Sequence, residues 1–160
     1  MISCLNCGEK IIPDADFCHK CGTKLSDLLD KPLSEKEYLD LVISYGKKLQ
    51  AVDESFLSVS KSLHVISVDS TLEKIDKIMN RHSTLSLEFK LIRYPEIYEK
   101  FHMLWISVYD YSFEAMSEYR KAVEYNDQEY LDKAATVTIG KISEYRELAM
   151  KEFYRIQDNR

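Results

Sequence analysis

Residues 34–66 read SEKEYLDLVISYGKKLQAVDESFLSVSKSLHVI, and this stretch decides the fold. Ser34 followed three residues later by Glu37 has the form of a capping box, in which serine hydroxyl and glutamate carboxylate each satisfy the other's backbone N–H. Beyond it Tyr38, Val42, Tyr45, Leu49, Val52, Phe56, Val59, Leu63 and Ile66 recur at alternating spacings of four and three. That heptad places one apolar seam along a single long helix. Leu39, Leu41 and Leu57 widen the seam, which suits a bundle better than a bare two-stranded coiled coil. At 1.5 Å per residue the helix is about 50 Å long.

Three further helices follow toward the C-terminus. Asp69 and Ser70 are expected to start the second, with Glu73 completing another Ser-x-x-Glu box. Its face reads Leu72, Ile75, Ile78, His82, Leu85, Phe89 and Ile92. Tyr94-Pro95 ends it and opens the third, because proline suits a first helical turn and disfavours helix at the residue before it. The third carries Ile97, Phe101, Leu104, Trp105, Val108, Tyr111, Ala115, Tyr119 and Val123. Asn126-Asp127-Gln128-Glu129 is a turn and cap leading into the fourth. There the expected buried set is Leu131, Ala135, Ile142, Tyr145, Ala149, Phe153 and Ile156. Thr136-Val137-Thr138-Ile139-Gly140 is the weak point of that helix, since β-branched residues and glycine lower helix propensity. Short connections between long helices predict an antiparallel up-down four-helix bundle. Its helices are expected at about 34–67, 70–93, 95–125 and 127–157, with the bundle covering 34–158.

The bundle offers little catalytic chemistry. Glu99-Lys100-Phe101-His102 has the Glu-x-x-His form that ligates di-iron in ferritin-like bundles, but that centre needs a second such unit. Neither His64 nor His82 has a glutamate three residues before it. His82 falls on the apolar seam, where two readings compete. One is a histidine satisfied by a tyrosine hydroxyl or a backbone group; the other is a pH switch or ligand contact. With four glycines in all, two of them beside the cysteines, a glycine-rich phosphate loop is not available. No nucleophile elbow appears, and the chain reads as a non-enzyme. The eleven tyrosines are expected mostly at core or boundary positions with the hydroxyl reaching water.

At the other end of the chain stand all four cysteines, as Cys4-Leu5-Asn6-Cys7 and Cys18-His19-Lys20-Cys21. Each pair is followed by a glycine, Gly8 or Gly22. Two residues between thiolates let one turn aim both sulfurs at one ion, so two such pairs build a closed tetrahedral Cys4 zinc site. The following glycine can take a positive φ, which turns backbone N–H groups toward sulfur. The residues between the pairs, Gly8 to Phe17, suffice for a small hairpin carrying Ile11, Ile12 and Phe17. A segment of about 25 residues cannot bury enough surface to fold alone. Structural zinc supplies on the order of 10–16 kcal/mol in small peptides. A pair of disulfides is the alternative, but no secretory segment precedes the cysteines, and such pairs in a cytosolic chain favour metal. His19 reads as a solvent-facing spacer.

Cys4-x-x-Cys7-Gly8, Ile11, Asp14-Ala15-x-Phe17-Cys18-x-x-Cys21-Gly22 and Leu25 together resemble the short zinc-ribbon modules found at the termini of many bacterial and archaeal proteins. The resemblance covers residues 1–25. It implies a ribbon with Cys4, Cys7, Cys18 and Cys21 as ligands to one structural Zn²⁺, and it carries no particular activity, because such modules precede unrelated partner domains. Leu5-Asn6 departs from the proline often found in the first pair. Residues 26–33 form a linker that includes Pro32. The helical remainder is loosely similar to uncharacterised helical-bundle proteins of Gram-positive bacteria and their phages, a likeness that transfers no site.

Charge narrows the partners. The chain carries a formal net charge of −5. Lys10, Lys20 and Lys24 balance Glu9, Asp14 and Asp16 in the ribbon, so four thiolates and one Zn²⁺ leave the folded ribbon at about −2. Nucleic-acid binding needs clustered cations to neutralise phosphates, and the longest basic runs are Lys47-Lys48 and Arg120-Lys121. No apolar stretch approaches the ~18–20 residues of a membrane span. The sequence therefore predicts a cytoplasmic zinc-binding adaptor, the ribbon docking a protein partner and the bundle serving as a rigid scaffold. A homodimer through an exposed part of the first helix is the self-association this allows. The alternatives are a nucleic-acid-associated regulator using the ribbon and a small-ligand sensor with a pocket near His82 or Trp105.

Overall fold

The computed structural model describes residues 2–3, 9–11, 17–22, 33–62 and 67–159. Near the N-terminus, β1 (Ile2–Ser3) and β2 (Lys10–Ile11) pair antiparallel, Ile2 opposite Ile11 and Ser3 opposite Lys10. Four helical rods follow: α1 (Glu35–Lys61), α2 (Val68–Lys90), α3 (Glu99–Tyr125) and a composite fourth rod. The fourth consists of α4 (Gln128–Thr136), a π-helical segment (Val137–Ile142) and α5 (Ser143–Asp158). The protein is mainly α, a small N-terminal ribbon followed by an antiparallel four-helix bundle.

Local sequence sets where the rods start and stop. The Ser34 capping box is present, with Glu37 N–H donating to Ser34 Oγ at 3.4 Å and Ser34 N–H donating to Glu37 Oε2 at 2.9 Å. α1 ends at Lys61, short of the expected 67; Ser62 caps it, its hydroxyl donating to the Val59 carbonyl at 2.9 Å. Leu63 and Ile66 lie outside the described residues. α2 is capped by Ser67, which accepts from Ser70 N–H at 3.3 Å. The expected Asp69–Ser70 start is therefore corrected: Ser70 is already inside the first turn. Pro95 opens a 3₁₀ turn (Glu96–Tyr98) before α3. Asn126 takes a left-handed conformation, φ +50°, to end α3, and Asp127 accepts from Glu129 N–H at 2.8 Å to start α4.

Pairs of side chains fix the up-down order. Tyr45 meets Phe89 across α1 and α2, with ring centroids 5.7 Å apart. Asp76 meets Arg120 across α2 and α3 at 2.6 Å. Phe101 meets Phe153 across α3 and α5 at 5.7 Å, and Asp53 closes the ring onto Arg146 at 3.0 Å. In the first three pairs a residue in the earlier part of one rod contacts one late in its neighbour, as antiparallel rods require, while Asp53 and Arg146 both lie past the middle of theirs. The core runs through Tyr38, Leu49 and Val52 of α1, Ile75, Leu85 and Phe89 of α2, and a broad face of α3. Several hydroxyls that were expected to reach water bind protein groups instead: Tyr45 donates to Glu88 at 3.1 Å, and Tyr109 donates to the Tyr45 carbonyl at 3.3 Å.

Some expected core positions are exposed. Leu57, Ile97 and Leu131 face solvent, and Ala134 rather than Ala135 is buried in α4. The π segment explains the last of these. Ala134 and Ile142 are eight positions apart rather than seven, and a π turn absorbs one extra residue without losing the buried face. It falls on the stretch with weak helix propensity. Thr138 Oγ1 donates to the Ala134 carbonyl at 2.8 Å, and Ser143 Oγ donates to the Thr138 carbonyl at 3.5 Å, which satisfies groups within the widened turn.

Candidate metal centre

Cys18-His19-Lys20-Cys21-Gly22 forms a closed turn. Gly22 N–H donates to the Cys18 carbonyl at 2.8 Å. Gly22 adopts φ +69°, the left-handed region that a side chain disfavours, so the glycine after the second cysteine has the conformation its position predicts. Cys18 is buried at 1% exposure, whereas His19 and Cys21 are exposed. Cys4 and Cys7 lie outside the described residues. The described strands flank the first cysteine pair, β1 stopping one residue before Cys4 and β2 starting three after Cys7, and most of the hairpin expected over Gly8 to Phe17 lies outside the described residues. Phe17 is 57% exposed and does not act as a hairpin core.

An ion pair links the two halves of the ribbon. Lys20, inside the second cysteine turn, pairs with Glu9, two residues after Cys7, at 2.7 Å. Lys20 holds the Glu9 carboxyl below its ordinary range, first by the hydrogen bond and then by charge. A surface ion pair between such mobile side chains cannot by itself hold a 25-residue module folded. The donor chemistry fits a closed zinc site: a tight thiol turn with glycine in the left-handed position, drawn to the flank of the other cysteine pair. Among the described residues, which include Cys18 and Cys21 but not Cys4 and Cys7, no group of three or more His, Cys, Asp or Glu is placed to hold a metal.

His82 sits elsewhere, on α2 inside the bundle. It is fully buried, lies 5.7 Å from the Tyr109 ring and 6.0 Å from Phe113, and neither ring nitrogen has a hydrogen-bond partner. The reading of a histidine satisfied by tyrosine or backbone is therefore corrected. Burial pushes its pKa down to about 4; Asp110 opposes the shift and Lys90 adds to it. Sequence reasoning missed a second buried histidine. His102 stacks on Phe89 at 4.5 Å, lies 4.4 Å from Tyr94, and its Nδ1 is 3.3 Å from the Tyr38 hydroxyl. Burial lowers its pKa to about 4 as well. Glu99 is exposed while His102 is buried, so the Glu-x-x-His unit does not present its two ends to one site. The available signal was the doublet Phe101-His102, Val108-Tyr109, Ala115-Met116, repeating every seven residues, which marks a helix with neighbours on two sides.

The fold and the cysteine turn define the class: a thiolate metal ribbon preceding a helical bundle. Residues 3–25 match the family model for a zinc-ribbon domain, which implies zinc binding by this segment. No curated protein and no solved structure matches the chain. No described helix is long and apolar enough to cross a membrane.

Proposed function

We propose that this chain is a non-catalytic adaptor of the cytoplasm, where thiols stay reduced. Cys4, Cys7, Cys18 and Cys21 would hold one structural Zn²⁺, the ribbon would dock a protein partner, and the bundle would serve as a rigid scaffold. The observation that carries this is the Cys18–Gly22 turn with Gly22 at φ +69°, within the segment that matches the zinc-ribbon family. A four-thiolate site has no open position for substrate or water, which suits bracing rather than catalysis. The bundle supports the same reading: among the described residues the buried histidines His82 and His102 pack against aromatic rings, as core side chains would.

Metal analysis of purified protein is expected to give one zinc per chain, and Cys18→Ser to lose it while the helical circular dichroism signal persists. Affinity capture from the native cell, with and without nuclease, then compares wild type with Cys18→Ser. A nuclease-resistant partner lost in the variant supports the adaptor. Recovery that vanishes with nuclease supports a nucleic-acid regulator instead. Zinc-free protein carrying two disulfides would overturn the ribbon reading.

A further inference from the structure

The outer faces of α1 and α2 meet in an open groove of about 680 Å³. Its α2 wall carries Lys74, Lys77 and Arg81, at spacings of three and four, so all three project from one helix face. They are exposed. Lys77 pairs with exposed Glu73 at 2.7 Å, whereas Lys74 and Arg81 form no ion pair among the described residues. The floor is small or apolar, formed by Ala51, Ser55, Val59 and Ile78, and Glu54 on the α1 side is the one carboxylate of the lining.

This positive face belongs to a chain of net charge −5, and the bundle's own ion pairs explain how it arises. Two acids of the same two helices, unlike Glu54 and Glu73, are committed to other rods. Asp53 of α1 is held by Arg146 of α5 at 3.0 Å, and Asp76 of α2 by Arg120 of α3 at 2.6 Å. Two carboxylates that could neutralise the wall are thus committed to the rods behind it.

We propose that the α1–α2 groove docks an acidic amphipathic helix of a partner protein. Carboxylates repeating every three and four residues on that helix would meet Lys74, Lys77 and Arg81, which span about 10 Å, close to two helical turns. The small side chains between those carboxylates would rest on Ala51, Val59 and Ile78. A nucleic-acid backbone fits less well: the floor is apolar, the lining has no aromatic ring on which a base could stack, and Glu54 would repel phosphate while it could pair with a lysine of a helix. The groove gives the bundle a docking role beyond the scaffold role proposed above, and it does not depend on the ribbon.

The test uses the full zinc-loaded chain and a synthetic helical peptide of leucine, alanine and glutamate with glutamates every three and four residues. Saturable binding that weakens with salt is expected, with amide shifts concentrated at Ala51, Ser55, Val59 and Ile78. Lys74→Glu with Arg81→Glu should weaken it by about tenfold or more at unchanged helical content. Lys133→Glu with Lys151→Glu, on the fourth rod, should leave it unchanged. If the charge reversal perturbs folding, Lys74→Gln with Arg81→Gln should weaken binding in the same direction. Cys18→Ser should bind the peptide as wild type does, so failure of the ribbon reading shows separately. Absence of saturable binding, equal binding of the glutamine version of the peptide, or shifts elsewhere would overturn the proposal. So would tighter binding of a charge-matched DNA duplex that the same reversal abolishes, or a concentration-dependent dimer of this chain that the reversal dissolves.

Discussion

His82 shows at the residue scale what a buried polar group does to a core. Neither ring nitrogen finds a partner, and an unsatisfied buried group costs more than a made hydrogen bond returns. The charged groups nearest the ring, Asp110 and Lys90, are paired with each other at 2.6 Å, so their opposing influences largely offset and burial decides the shift. The unfolded chain protonates near the ordinary histidine value of 6.5, the folded chain near 4. The stability held by the neutral ring is therefore fully present above pH 6.5 and is lost as pH falls toward 4, by an amount on the order of 3 kcal/mol. His82→Leu, of similar volume, is expected to match or exceed wild-type stability at pH 7.5 and to retain clearly more of it at pH 5. Urea midpoints read by helical ellipticity at the two pH values check this, since that signal reports the bundle rather than the ribbon. Equal loss in variant and wild type would show that His82 does not set the acid sensitivity. The seam position of this histidine was legible in the heptad. That its nitrogens are unsatisfied was not, because hydrogen bonding depends on which residues of α3 stand opposite.

At the scale of elements, periodicity outperformed punctuation. All four rods were visible in the spacing of apolar residues, because each rod repeats its pattern over many turns. Caps rest on one or two residues, and competing candidates stand close together. Ser70-x-x-Glu73 looked like the start of α2, yet Ser67 occupies the cap with its hydroxyl 3.3 Å from Ser70 N–H. Its backbone carbonyl also accepts from the Thr71 hydroxyl at 2.9 Å, a second tie that the box pattern does not encode. Ser67→Ala is thus expected to destabilise the bundle by about 1 kcal/mol, and Ser70→Ala, which leaves the backbone donor in place, by a few tenths at most. Chemical denaturation of the two variants side by side decides between the caps; equal losses would return the start of α2 to Ser70. The one-residue shift to Ala134 has a comparable origin. Extrapolating an α-helical period across Val137–Ile142 assumes a uniform turn, and the π segment breaks that assumption.

For the whole molecule the question is whether metal and core act as one cooperative unit. The bundle's stability comes from its own residues: aromatic and aliphatic side chains of α1, α2, α3 and α5 fill the clusters around Leu49, Phe89 and Tyr109 and around Tyr38, Tyr98 and Ile156. Among the described residues of the ribbon Phe17 is more than half exposed, and a two-residue ladder and a surface ion pair are among its cross-links. A module so small depends on metal for its fold, whereas the bundle does not. Removing zinc with a chelator at pH 7.5 should therefore leave helical ellipticity and the main thermal transition within about 2 °C of the untreated protein, while amide resonances of residues 9–11 and 17–22 collapse toward unfolded positions. A drop of 5 °C or more in the main transition would mean that the ribbon packs against the bundle and stabilises it. The two modules would then present one continuous surface to a partner rather than two independent ones.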